Sequence, residues 1–228
     1  MTRNSLVCAK HFMMTLAALL LFVPGANAGT IFDSGVTIGS NALITADKDG
    51  PQELALEVTF GADVTLRSLA FSGAYITTNT PTGLDDFSLK IYSDVLGVPS
   101  DSALADLSVS LTSRVDSGID LTGGTTAIDI FDYAGSLAET ALSSGTYWFA
   151  LQNNTSDDTN DNWGWLADGG NTVSSLGRNA AFPNWTQLGF NLDLQLFDHV
   201  PAVPLPGGLP LLAAGLGLIG FTRRLQKS

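Results

Sequence analysis

The chain has 228 residues, 45% of them hydrophobic, with ten Lys or Arg against 22 Asp or Glu. All the acidic residues fall between Asp33 and Asp198, where only Lys48, Arg67, Lys90, Arg114 and Arg178 oppose them, so this stretch carries five positive and 22 negative charges, a net charge near −17. That balance excludes nucleic acid as a partner, since binding it depends on Lys and Arg neutralising phosphates, and the single Cys8 excludes an intrachain disulfide.

The chain opens with Arg3 and Lys10, an apolar run over 12–23, a Pro24-Gly25 break and Ala26-Asn27-Ala28. This is the layout of a secretory signal peptide over 1–28, cut by signal peptidase after Ala28. The apolar run is too short for a spanning helix, which needs about 20 residues. Cys8 and His11 leave with it.

Residues 29–199 read as strands. Leu54, Leu56, Val58 and Phe60 alternate with Ala55, Glu57 and Thr59; Phe87, Leu89 and Ile91 alternate with Ser88 and Lys90; Phe190, Leu192, Leu194 and Leu196 alternate with Asn191, Asp193 and Gln195. A period of two puts the apolar set on one sheet face and the polar set in water. Gly145-Thr146-Tyr147-Trp148-Phe149-Ala150-Leu151 reads as a central strand, and the change of phase between Leu66 and Leu69 suggests a bulge. Turns are marked at Lys48-Asp49-Gly50-Pro51, Thr80-Pro81-Thr82-Gly83, Gly97-Val98-Pro99-Ser100, Gly123-Gly124 and Ser144-Gly145. The pattern predicts one antiparallel β-sandwich, jelly-roll-like. A β-helix would need a fixed-period repeat, and none is visible.

Catalytic equipment is sparse. After export the one histidine is His199, with no nucleophile motif to partner it and no ligand set for zinc. Carboxylates could pair, as a glycosidase requires at about 5–10 Å, in Asp85-Asp86, Asp116 with Asp120, or Asp129 with Asp132. With 22 acids such pairs arise by chance, so they read as solvated charges and the chain reads as non-enzymatic. Asp158, Asn160 and Asn162 follow the alternate spacing that aims oxygens at one Ca²⁺. The rest of an EF-hand loop is missing: Trp163 stands where that loop turns on Gly, and no Glu closes it. Trp163-Gly164-Trp165 would put two indoles on one face of a strand. With Trp185 they form a candidate carbohydrate platform, against the alternative that they fill the core.

The chain closes with a Pro-rich spacer and motif over 200–206, an apolar segment over 207–222 and a basic tail over 223–228. Counted over 205–221 the apolar run is 17 residues, at the lower limit of about 17–25 for a membrane span. The positive-inside rule keeps the tail cytoplasmic. The expected precursor is therefore anchored in the inner membrane by this helix, with the folded region facing the periplasm.

Val203-Pro204-Leu205-Pro206, the Gly/Leu/Ala-rich segment and Arg223-Arg224 resemble the PEP-CTERM sorting signal in its VPLP variant. Gly207-Gly208 departs from the Ala-containing step usual there. The resemblance implies a Gram-negative bacterium, an exosortase-type membrane protease cutting near the Pro motif, and a destination at the cell surface or in extracellular polysaccharide or biofilm matrix. The stretch from Phe87 through Ile91-Tyr92-Ser93-Asp94 and Gly97-Val98-Pro99 to Leu107, with Gly145-Thr146-Tyr147-Trp148-Phe149 and Trp163-Gly164-Trp165, is similar to the choice-of-anchor surface domains. That likeness implies a β-rich module over about 30–198 and brings no catalytic residues. The leading expectation is an exported, non-enzymatic envelope protein. The second is a carbohydrate-binding module using the Trp cluster, with or without Ca²⁺.

Overall fold

The computed structural model describes residues 29–36, 41–48, 50, 52–76, 85–123, 126–155, 162–169 and 174–199. Ala26 and Ala28, the tail with Val203, Pro204, Leu205, Pro206, Arg223 and Arg224, and the loop residues Asp158 and Asn160 lie outside them.

The described residues are all-β. In chain order the strands are β1 (Thr30–Asp33), β2 (Asn41–Thr45), β3 (Gln52–Phe60), β4 (Val64–Tyr75), β5 (Phe87–Val95), β6 (Val98–Pro99), β7 (Ala105–Ser108), β8 (Ser110–Gly123), β9 (Thr126–Leu142), β10 (Gly145–Asn153), β11 (Trp163–Asp168), β12 (Ser175–Asn179), β13 (Thr186–Gln187), β14 (Asn191–Leu192) and β15 (Gln195–Phe197). They form two antiparallel sheets. The first runs β1-β15-β4-β11-β14, with β2 beside β11 and the β8–β9 hairpin alongside β4. The second runs β13-β12-β3-β10-β5-β6, with β7 also on β5. Both sheets feed one apolar core, as a β-sandwich does: Leu54, Leu56 and Val58 of β3 with Leu89 and Ile91 of β5 enter it from the second sheet, Leu69 and Phe71 of β4 from the first.

Two of the period-two runs become β3 and β5, and the run read as a central strand becomes β10, hydrogen-bonded to β3 on one side and β5 on the other. The bulge lies where the phase change placed it, as a register shift between Leu66 and Ser68 opposite β9. The run from Phe190 to Leu196 is not one strand. It splits into β14, paired with β11, and β15, inserted between β1 and β4. At the break the chain changes partner: Asp193 N donates to Leu166 O and Leu194 N to Ser34 Oγ. Of the two longest strands, β8 is wetted along most of its length, whereas β9 buries Ile130, Tyr133, Leu137 and Leu142.

At the centre of the core Phe71, Phe87, Tyr133 and Trp163 meet. Phe71 and Tyr133 stack at 5.0 Å, and Phe87 lies edge-on to Phe71 at 4.9 Å and to Trp163 at 5.0 Å. Each such ring contributes about 1.5–3 kcal/mol from burial, with edge and offset contacts adding to it. Trp163 reaches this position because Gly73 has no side chain: a Cβ there would sit 2.2 Å from the indole.

Candidate functional site

The outer face of the second sheet is where chemistry-bearing side chains converge. Alternation sends Leu54 and Leu56 inward from β3, so Glu53 and Ala55 project outward; by the same rule Trp148, Ala150 and Gln152 of β10, Lys90 and Tyr92 of β5, and Leu176 and Arg178 of β12 share that face. Ala55, Tyr92, Trp148, Ala150 and Leu176 are buried there in a second, smaller cluster, with Trp185 packed against it. What covers them is the return of the chain from β12 to β13, a hairpin pairing Leu176 with Gln187 and Gly177 with Thr186.

Glu53 is the hub. Its Oε1 accepts from Tyr92 Oη at 2.6 Å and from Lys90 Nζ at 3.3 Å, and its Oε2 accepts from Arg178 Nε at 2.8 Å. Burial alone would raise the carboxyl. The hydrogen bonds from Tyr92 and Arg178 and the charges of Lys90 and Arg178 outweigh that and hold it below its ordinary value. Burial and the Glu53 carboxylate push the Tyr92 phenol up, so it remains a donor. The Arg178 guanidinium lies 4.3 Å over the Trp185 ring, and Tyr92 meets the same indole edge-on at 6.0 Å. Trp148 is fixed by its own hydrogen bond, Nε1 to Asp94 Oδ1 at 2.8 Å. Beside this lattice Phe182 stands 68% exposed at a groove of about 250 Å³. The arrangement is a saturated clamp: one anion holds three donors, and through Arg178 it holds Trp185 on the sheet.

The expected platform is divided. Trp163 and Trp165 do fall on one face of β11, but that face is the core, and both indoles are fully buried. Trp165 Nε1 donates to the Asp193 carbonyl at 2.6 Å. This corrects the reading of those two residues as sugar-binding surface: the Trp-Gly-Trp spacing reports strand alternation, and the apolar side won. Of the three candidates Trp185 alone is half-exposed, with one ring face under Arg178.

Of the candidate Ca²⁺ ligands, Asn162 is described, and its carbonyl accepts from Ile76 N at 2.8 Å. The buried Asp47 ties the flanks of that loop: Oδ2 accepts from Thr155 Oγ1 at 2.8 Å and from Trp163 N at 2.9 Å. Among the described residues no three His, Cys, Asp or Glu side chains are grouped to hold a metal.

The carboxylates pair differently from their sequence spacing. Asp85 accepts from Tyr75 Oη at 2.5 Å and from Arg114 Nη1 at 3.2 Å; Asp86 accepts from Asn154 Nδ2; Asp132 accepts from Ser72 Oγ. Asp120 instead faces Asp129 across the β8–β9 ladder. Loss of hydration and the charges of Asp120 and Asp116 raise the Asp129 carboxyl. Asp193, at the β14–β15 break, is raised by burial to about 6, with Asp132 and Asp33 adding to the effect and Ser72 opposing it. His199 Nδ1 lies 2.5 Å from Asp198 Oδ1, while Ser68 Oγ donates to the His199 carbonyl and not to its ring.

No helix among the described residues is long and apolar enough to cross a membrane. No protein-family model matches the chain, and no curated protein matches it.

Proposed function

We propose that this is an exported, non-enzymatic protein of the cell envelope or extracellular matrix, a single jelly-roll-like sandwich bracketed by two address segments. Signal peptidase removes residues 1–28. The apolar segment 207–222 holds the precursor in membrane lipid, and an exosortase-type protease cuts near Val203-Pro204-Leu205-Pro206. The product is released to, or retained in, the polysaccharide layer.

The observation that carries this reading is the order of three elements in the tail: a Pro motif, an apolar run and Arg223-Arg224. The folded region suits it. β1 pairs with β15, Thr30 opposite Phe197, so the residues that follow the signal segment and those that precede the spacer leave from one corner of the first sheet. A domain hung from that corner keeps both its sheets intact after either end is cut. The saturation of Glu53 by Tyr92, Lys90 and Arg178 supports a structural rather than catalytic use of the outer face.

Fractionation of the paired Arg223→Ala and Arg224→Ala variant and of Pro204→Ala tests the proposal. Both are expected to accumulate uncut in the membrane fraction. An unchanged location and mass in both would refute it.

A further inference from the structure

Leu96 occupies the β5–β6 turn at a cost that the fold does not return. Val95 pairs with Val98, and Leu96 and Gly97 between them both have positive φ, 58° and 83°. That is the geometry of a tight hairpin turn that favours Asn-Gly. A leucine adopts it with strain, yet the Leu96 side chain is 99% exposed. Val95 and Val98 are exposed beside it. Three adjacent apolar side chains at one tip, one of them strained into place, mark a contact surface.

Register fixes where that tip points. Tyr147 pairs with both Val58 and Ser93, so β3 and β5 finish at the same end of the second sheet. Only Gly61, Ala62 and Asp63 separate the end of β3 from the start of β4, which brings the start of β4 in the first sheet to that end as well. β15 runs against β4, from Gln195 opposite Ala70 to Phe197 opposite Ser68, so the chain heads for the same end as it leaves the fold. The apolar segment 207–222 begins after the seven residues 200–206, which fully extended span at most about 25 Å. A domain tethered on that segment therefore carries the Leu96 turn on its membrane side.

The charges at this end are turned away from the contact. Asp94 Oδ1 accepts from Trp148 Nε1 at 2.8 Å and its Oδ2 from Gly97 N at 3.3 Å, while Asp63 Oδ1 accepts from Ser144 N at 2.9 Å. Asp116, Asp120 and Asp129 lie far off on the β8–β9 hairpin: Phe131, opposite Asp116, pairs with Gly73 near the other end of β4. No Lys or Arg occurs from 91 to 113 to reach lipid phosphate, so the contact is apolar and suits a zwitterionic surface.

We propose that the β5–β6 turn docks on the surface of the bilayer that the C-terminal segment enters, with Val95, Leu96 and Val98 against neutral phospholipid. The inference rests on the proposed anchoring by residues 207–222 and adds to it a fixed orientation, one end of the sandwich down.

The test uses the anchored precursor, exported by cells without an exosortase-type protease and reconstituted in vesicles of brominated phosphatidylcholine. Removal of residues 1–28 takes away Cys8, so one introduced cysteine can carry a polarity-sensitive dye. Ser102→Cys places it just past the turn and Asp120→Cys at the far end, both at exposed positions. Bromine is expected to quench the dye at 102 and to spare the dye at 120. Adding Leu96→Asn, which suits the turn and should leave the melting temperature unchanged, should lower the docked-to-undocked ratio roughly tenfold, the lower end for one leucine. A chain that does not float with the vesicles overturns the anchor and the docking together. A chain that floats overturns the docking alone if the dye at 102 is not quenched, if the dye at 120 is quenched equally, or if Leu96→Asn changes nothing.

Discussion

The two faces of the second sheet are built from the same strands and buried by different physics. Inward, Leu54, Leu56, Leu89, Ile91 and Phe149 join a core of apolar side chains. Outward, Ala55, Tyr92, Trp148 and Leu176 are as well covered, but the covering hairpin is held there by Glu53, Arg178 and Trp185. The inner face depends on area removed from water and includes no charged side chain, so its contribution does not follow pH. The outer face depends on one carboxylate remaining charged. Burial alone therefore says little about how a region will fail.

Trp163→Ala attacks the inner side and should cost the most, about 3–5 kcal/mol, as large-to-small core changes do. A fall in the melting temperature measures it. Gly73→Ala should approach that loss without removing an atom, because its Cβ would meet Trp163 at 2.2 Å.

Asp193→Asn sharpens the comparison with a change of opposite sign. The carboxyl is raised to about 6 from its ordinary 3.8. Its favourable contribution is complete below 3.8 and is lost as pH rises through about 6, so at pH 7 the charged form is a burden of at most about 3 kcal/mol. The variant should be more stable than wild type at pH 7, and the difference should vanish near pH 4. Denaturant titrations at the two pH values read this directly.

Glu53→Gln breaks the outer face. It leaves Arg178 and Lys90 without their anion and should cost about 1–3 kcal/mol at neutral pH, reduced by the partial exposure of both cations. Because the folded Glu53 lies below its ordinary 4.5, its contribution is present above 4.5 and is lost as pH falls through the folded value. The gap between variant and wild type should close in acid. The Arg67–Glu139 pair, 44% and 61% exposed, is the reference: removing it should change stability by less than about 0.5 kcal/mol.

How legible this was in the sequence depended on which signal each residue carried. Leu54 to Phe60 and Phe87 to Ile91 announced β3 and β5 because one side of each strand is apolar, and Leu66 with Leu69 announced a bulge by breaking phase. β8 gave no such signal because it is wetted along most of its length, and β9 blurred its own because it buries Ile130 on one parity and Tyr133 and Leu137 on the other. Phe190 to Leu196 kept its period across a change of partner, which alternation cannot see. The outer-face clamp was equally hidden. Glu53, Tyr92 and Arg178 are far apart in sequence, and each alone looks like an ordinary surface residue. What brings them together is strand order, which no local pattern encodes. Trp163 and Trp165 were legible as sharing a face, but not as to which one.

The intact mass of the mature protein recovered from exporting cells bears most directly on the proposed sorting. The mature chain is expected to begin at Gly29 and to end near the Val203-Pro204-Leu205-Pro206 motif. A mature mass of 23.8 kDa, with both ends retained, would contradict it.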